Sequence, residues 1–380
     1  MKLTTAGESH GKALIAIIEG LPAHLKISED KINAELKKRG QGYGRGARQK
    51  IEKDEVEILS GVRGGETLAS PLTLCVKNKD YQNWADCMAT GEPDQVSKSI
   101  AVEKVVRKVR PGHADLVGVL KYEQTDARNI LERASARETA VRVAAGVVFK
   151  SYLAELGVEI ASFTRSIYTV QDERTYSFDE INRLKDNETG FLDKVCSAQA
   201  KEKIDEMKSL GDSVGGVVEI RVKGLKSGFG GMMTYAQKLD SRLAGALMSV
   251  QAVKGVEFGD GFALAAKSGS CAHDEIYFDG GYYRKTNRAG GIEGGTSNGE
   301  EIVVKIAMKP IPTLVKGLQT VDIESKESTV ACVERSDTCA VFSLGVIAES
   351  VVAEVLATAV AERLGGDTLS QVKERYDKLP

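Results

Sequence analysis

Strand-length apolar stretches and longer helical ones interleave along this chain in no regular order, and that pattern restricts the fold more than any other feature. Val56 to Leu59, Pro71 to Val76, Val217 to Val222 and Ile302 to Met308 are apolar or β-branched with turn residues close by, and read as strands. Glu29 to Lys38, Ala140 to Leu156 and Ala348 to Leu364 read as helices; the last two stop at Gly157 and at Gly365-Gly366, where glycine supplies left-handed backbone. A strict βαβ alternation would predict a parallel sheet, so its absence predicts α+β layers. A chain of 380 residues, 42% of them apolar, can close a packed core over such layers. Arg165 to Asp212 is dense in charge and is expected to be a variable surface excursion with a helix at Lys201 to Leu210. No Pro- or Ser-rich linker divides the chain, so residues 1–380 read as a single domain.

Charge excludes whole classes of partner. The 52 Lys and Arg nearly balance 54 Asp and Glu, leaving a net charge of -2 and no overall field toward nucleic acid or an anionic membrane. The first residues run into Thr4-Thr5-Ala6-Gly7 without a basic and apolar leader. No apolar run approaches the roughly 18 residues of a membrane helix, so a cytoplasmic location off the membrane is expected. Cys75, Cys87, Cys196, Cys271, Cys332 and Cys339 form no Cys-x-x-Cys pair and read as reduced thiols.

Any basic site must therefore be local, and glycine shows where. The chain holds 39 Gly against 7 Pro, clustered in short polar segments. His10 lies in Gly7-Glu8-Ser9-His10-Gly11 and His113 in Arg110-Pro111-Gly112-His113-Ala114-Asp115. Loop histidines beside acids and arginines are natural proton donors or acceptors, although a surface hydrogen-bonding role fits the same pattern. His24 and His273 have no such setting. The segment Arg39 to Arg48 alternates glycine with Arg39, Arg45 and Arg48. It follows a helix instead of a strand, which argues against a dinucleotide fingerprint and for bidentate binding of a small polyanion. Ser135 and Glu138 have capping-box spacing, and with Arg133 and Arg137 that helix start could hold a phosphate. A further run, Ala289 to Gly299, has doubled glycines and precedes a strand that leads into Lys309-Pro310-Ile311-Pro312-Thr313. It permits close approach to a flat ring or a phosphate, and serves equally as a turn.

Taken in order, and with Asp240-Ser241-Arg242-Leu243-Ala244, Lys254 to Gly259 and Arg335-Ser336-Asp337, these segments resemble the chorismate synthases over roughly residues 5 to 365. The resemblance implies a β-α-β sandwich with helices packed between antiparallel sheets, and a homotetramer. It implies a 1,4-anti elimination of phosphate from 5-enolpyruvylshikimate 3-phosphate to give chorismate. Reduced FMN would be required without net redox change, with NADPH as an indirect reductant and no metal. Whether this chain reduces its own flavin or relies on an external flavin reductase stays open on the sequence, its length leaning toward the external one. By the same resemblance His10 would be an acid toward the departing phosphate and His113 a proton donor beside the flavin. Asp337 would assist proton removal at the flavin. Arg133, Ala134, Ser135, Gln251, Ala252, Gly294, Lys309, Pro310, Ile311, Pro312, Thr313 and Arg335 would bind FMN. Arg39, Arg45 and Arg48 would face the substrate or a nicotinamide donor. The chain departs from many members at Ala134 (Ser), Gln251 (Asn) and Phe342-Ser343 (Pro-Ala).

The arginine count agrees independently. Two carboxylates and a phosphate beside a flavin phosphate require several guanidinium groups, and Arg39, Arg45, Arg48, Arg110, Arg133, Arg137 and Arg335 could provide them. Two other classes remain open on residues alone. A phosphoanion- or RNA-binding module could use the clusters at 39–50 and 107–110, but Tyr43 is the only aromatic among them and single-strand binders need stacking platforms. An NADPH-consuming flavin oxidoreductase is the other.

Overall fold

In the computed structural model, which describes residues 1–46, 53–92, 103–332 and 336–380, two antiparallel sheets enclose a layer of helices. The first sheet comprises β1 (Lys2–Ala6), β2 (Ala13–Glu19), β3 (Val56–Ser60) and β4 (Leu72–Lys77) in the order β1-β2-β4-β3. The second comprises β5 (Glu159–Ile167), β6 (Val170–Gln171), β7 (Gly216–Lys223), β8 (Val253–Phe258) and β9 (Ile302–Met308), in the order β8-β9-β7-β5-β6. Leu14, Ala16 and Ile18 are fully buried at alternate positions of β2, because the two-residue period turns every second side chain toward the helices.

The helices are α1 (Glu29–Arg39), α2 (Asp115–Tyr122), α3 (Arg128–Ala134), α4 (Thr139–Ala154), α5 (Phe178–Leu184), α6 (Lys194–Ser209), α7 (Leu239–Met248), α8 (Val341–Leu364) and α9 (Leu369–Asp377). α4 packs on β2 and β4, α8 packs on β5 and β7, and the two helices pack on each other with α1 and α7 beside them. The expected α+β sandwich is therefore the observed architecture. Ser28 starts α1 by accepting the Lys31 N–H, with Glu29 and Asp30 in the first turn and Lys37 to Arg39 in the last, which suits the helix dipole.

α8 corrects one expectation. At 24 residues and a mean hydropathy of 1.8 over its best window it is long and apolar enough to cross a membrane, contrary to the reading that no stretch approaches that length. The protein itself buries 83% of that window, and a helix enclosed on all sides must be apolar all round. It also starts seven residues before the expected Ala348, since Val341 and Ser343 to Ile347 are buried too. Glu349 on α8 is nevertheless charged: it accepts from Lys150 Nζ at 2.6 Å and Ser162 Oγ at 2.8 Å, while Lys150 also reaches Glu35 at 2.9 Å. Burial would raise the Glu349 carboxyl, but Lys150 and Lys185 more than offset it and hold it at about 2.

Residues 165–212 carry more structure than charge density suggested. β5 runs into the segment, Ser177 and Glu180 form a reciprocal capping box on α5, and α6 begins at Lys194. Phe178, Ile181 and Leu192 close a small apolar cluster with Ala161 and Phe163 of β5.

Candidate active site

Loops from both sheets and the helix layer open on one cleft of about 1120 Å³. That exceeds the roughly 300–1,000 Å³ of a site for one small molecule and suits two ligands side by side. His10, Arg39, Arg45, His113, Ala134, Ser135, Gln251, Ala252, Lys309, Ile311, Pro312, Thr313 and Asp337 all line it. Arg133, Gly294 and Pro310 do not. The Arg133 guanidinium instead donates to Gly7 O at 3.0 Å and Thr5 O at 3.1 Å, and Gly294 sits in a turn near Met232. Arg48 and Arg335 lie outside the described residues.

The β1–β2 loop places His10. Its entry demands glycine: Gly7 has φ +106°, and a Cβ there would stand 2.3 Å from Ala13 O. The loop then crosses α3, where Ser9 N–H donates to Glu132 O at 2.9 Å and His10 N–H to Glu132 Oε2 at 2.8 Å. His10 Nδ1 meets Glu132 Oε1 at 2.8 Å, and the imidazole stacks on Trp84 with ring centres 3.9 Å apart. Burial would raise the Glu132 carboxyl, but hydrogen bonds from His10 and the charge of Arg128 hold it below its ordinary value.

His113 has a parallel setting. Its Nδ1 lies 2.5 Å from Asp115 Oδ1, and Arg110 Nε donates to Asp115 Oδ2 at 2.8 Å. Arg110 also donates to Thr313 Oγ1 at 3.1 Å. Burial opposes ionisation of Asp115, yet His113 and Arg110 keep its carboxyl well below the ordinary range. In both pairs the carboxylate fixes the proton on Nδ1 and leaves Nε2 without a protein partner among the described residues.

The remaining cations are braced as well. Arg39 Nε donates to Thr139 Oγ1 at 3.0 Å and its Nη2 to Ala136 O at 2.9 Å; burial lowers it to about 9, against the attraction of Asp54. Arg137 donates to Asp54 at 2.7 Å and Asn78 Oδ1 at 2.9 Å. Arg45 pairs with Asp337 at 2.8 Å, and Asp337 Oδ1 accepts Gly46 N–H at 2.6 Å. Ser343 Oγ donates to Arg39 O at 2.7 Å and Gln41 O at 3.2 Å, so the departure at 342–343 clamps the end of α1 to α8. Ser135 caps a short turn through Arg137 N–H, but Glu138 turns to Thr5 Oγ1 instead of closing the expected capping box. Reading of the sequence did not assign parts to Glu132, Arg128, Trp84, Asn78 or Asp54. The i,i+4 spacing of Arg128 and Glu132 and the uniqueness of Trp84 were the available signals.

A family model described as chorismate synthase matches residues 1–361. The chain belongs to the chorismate synthase family. It is 52% identical to the chorismate synthase of Geobacter metallireducens and 50% identical to that of Geobacter sulfurreducens, in each case over 99% of this chain and 98% of the relative. A crystal structure of a chorismate synthase, 39% identical, superposes with a TM-score of 0.78 over 99% of this chain and 96% of that one. Membership makes the chain a lyase of the shikimate pathway, acting on 5-enolpyruvylshikimate 3-phosphate to form chorismate, in a family that uses reduced flavin.

Proposed function

We propose that this cleft binds reduced FMN beside 5-enolpyruvylshikimate 3-phosphate and that His10, His113 and Asp337 handle its protons. The carrying observation is the pair of histidines in one cleft, each held at Nδ1 by a buried carboxylate with Nε2 unengaged. The residues fit a flavin. Gln251 Oε1 and Arg45 Nε are buried polar atoms with no hydrogen-bond partner among the described residues, and both residues line the cleft. Val250, Leu344 and Ile347 add apolar wall for a flat ring, and Lys309, Thr313 and Ser135 add donors for a phosphate. Ala134, Gln251, Ala252, Ile311 and Pro312 complete that set, with Pro310, Arg133 and Gly294 as outlying contributors; Arg335, also assigned to FMN, lies outside the described residues.

When bound, reduced flavin supplies transient electron density that eases phosphate loss without net redox change. His10 holds a proton at Nε2 for the departing phosphate oxygen. His113 holds one at Nε2 to balance charge in the cleft. The Asp337 carboxylate, an acceptor for Gly46 N–H and Arg45, receives a proton during turnover. Arg39, Arg45 and Arg48 face the substrate or a nicotinamide donor. The burial of α8 supports a cytoplasmic enzyme. The hairpin formed by Ile276–Phe278 and Tyr282–Arg284 leaves Phe278 69% and Tyr282 81% exposed, which supports burial against further copies in a homotetramer.

The test is chorismate formation under strictly anaerobic conditions with chemically reduced FMN, with oxidised FMN, and with NADPH plus FMN. Product with pre-reduced flavin alone supports dependence on an external flavin reductase, and product with NADPH assigns reduction to this chain. No product from folded protein in any arm overturns the reading.

A further inference from the structure

Glu132 is 2% exposed, yet it is bound from three directions. Its carboxylate accepts the His10 backbone N–H at 2.8 Å, faces His10 Nδ1 at 2.8 Å and 3.0 Å, and meets Arg128 Nη1 at 3.2 Å. The imidazole it holds is stacked on Trp84 at 25° between ring planes, and Trp84 is anchored through its Nε1–H to Asp80 at 3.2 Å. An ordinary structural carboxylate needs only Arg128, which is four residues away on the same helix. Two contacts to one loop histidine go beyond that need.

We infer that Glu132 is a positioning residue for His10: it fixes the imidazole in one tautomer and orientation, with Nε2 toward the cleft. This rests on His10 being the acid proposed above. The physical argument is one of geometry: an Nδ1–H donated to a carboxylate leaves Nε2 as the only ring nitrogen that can pass a proton outward, and the same contact holds the ring in place as the buried acid does in a Ser-His-Asp triad. Other charges nearby are Arg128; Lys104, whose ammonium stands 4.2 Å over Trp84; Asp80 behind Trp84; and Glu8 on the same loop. Asp126 and the Cys87 thiol, which burial pushes up, lie near the Arg128 and Glu132 pair. Only Glu132 hydrogen-bonds the ring.

Glu132→Gln keeps the shape and removes the charge. In the pre-reduced FMN assay its kcat is expected to fall by about tenfold or more, short of the ~10²–10⁴-fold loss of a missing general acid in His10→Ala, while KM moves little. Nitrogen-15 NMR of the flavin-free protein supplies a readout independent of turnover: the wild type carries the His10 proton at Nδ1, and Glu132→Gln mixes the two tautomers. Glu132→Asp, which keeps the carboxylate on a shorter stem, recovers the wild-type tautomer at reduced kcat. If His10→Ala retains kcat, the reading of His10 as acid fails and this inference with it. If His10→Ala loses kcat while Glu132→Gln keeps the wild-type kcat and tautomer, the inference alone is overturned. A Glu132→Gln effect confined to KM overturns it as well.

Discussion

Gly146 on α4 is where the two central helices touch, and Gly146→Ala should destabilise the protein although alanine is the better helix former. A Cβ at that position would lie 2.2 Å from Ser350 Cβ, 2.5 Å from Ser350 Oγ and 2.7 Å from Ser350 Cα on α8. Carbon atoms settle about 3.5–4.0 Å apart, so the helices would have to separate by over about 1 Å. Both are pinned between sheets, and Ser350 is 1% exposed with its Oγ donating to Val346 O, so no side-chain rotation relieves the clash. Overpacking of this kind costs up to about 3 kcal/mol, with more where backbone must shift. The helix-propensity gain of about 1 kcal/mol offsets part of it, for a net loss of roughly 2 kcal/mol. Gly245 on α7 is the control: nothing lies within 4 Å of a Cβ there, so Gly245→Ala should gain up to about 1 kcal/mol. Urea denaturation followed by circular dichroism measures both. Ser350→Gly added to Gly146→Ala removes the two nearest atoms and should recover about half the loss, the remainder coming from Ser350 Cα. A Gly146→Ala midpoint at or above wild type would refute the packing argument.

Three further outcomes follow from the same geometry. The folded Glu349 carboxyl sits at about 2 against an ordinary 4.5, so its contribution is full above about pH 4.5 and lost as pH falls toward 2; Glu349→Gln should flatten the fall in urea midpoint over that window, and an unchanged slope would count against the pair with Lys150. Asp115→Asn should lower kcat at least about tenfold with a smaller change in KM in the pre-reduced flavin assay, because His113 loses the carboxylate at its Nδ1; unchanged kcat removes His113 from proton transfer. If the proposed homotetramer is built on that hairpin, Phe278→Glu with Tyr282→Glu should give a smaller species than the wild type by light scattering, and an unaltered mass would exclude the hairpin from any contact between copies.

The layers were legible because their signals are local. Ile302–Met308 matched its strand at both ends, and α1 ran one residue past its expected stop. The strands β1, β2, β5 and β8 were not read: β2 finds β4, β5 finds β7 and β8 finds β9 across separations that no short window contains, and β1 is an edge strand whose partner is β2 across the His10 loop. In the site, glycine marked the loops of His10, Arg45 and His113 correctly. Glu132 escaped because an Arg and a Glu four apart on a helix ordinarily describe a solvated face, whereas here the β1–β2 loop crosses above Glu132 while Trp84 and Lys104 O meet Arg128. Trp84 carried no pattern of its own; its value comes from His10, Lys104 and Arg128 meeting its faces.

The arginine count needs the largest revision. Seven arginines read as counter-charge for a polyanion, yet in the fold Arg39 and Arg137 share Asp54, Arg45 pairs with Asp337, Arg110 with Asp115, and Arg133 turns to backbone carbonyls. These are braced forks, not free charge. A guanidinium held by a carboxylate gives up part of its field but keeps N–H groups aimed in fixed directions, and ordering those groups beforehand spares the ligand that cost. Recognition of 5-enolpyruvylshikimate 3-phosphate should then depend on aligned donors such as Arg45 Nε more than on long-range attraction. Its KM should accordingly rise only slightly between low salt and physiological ionic strength, where the screening length falls from about 30 Å at 0.01 M to about 8 Å. A steep rise in KM over that range would mean the carboxylates leave the cleft strongly positive after all, and the count taken from the sequence would be the better guide.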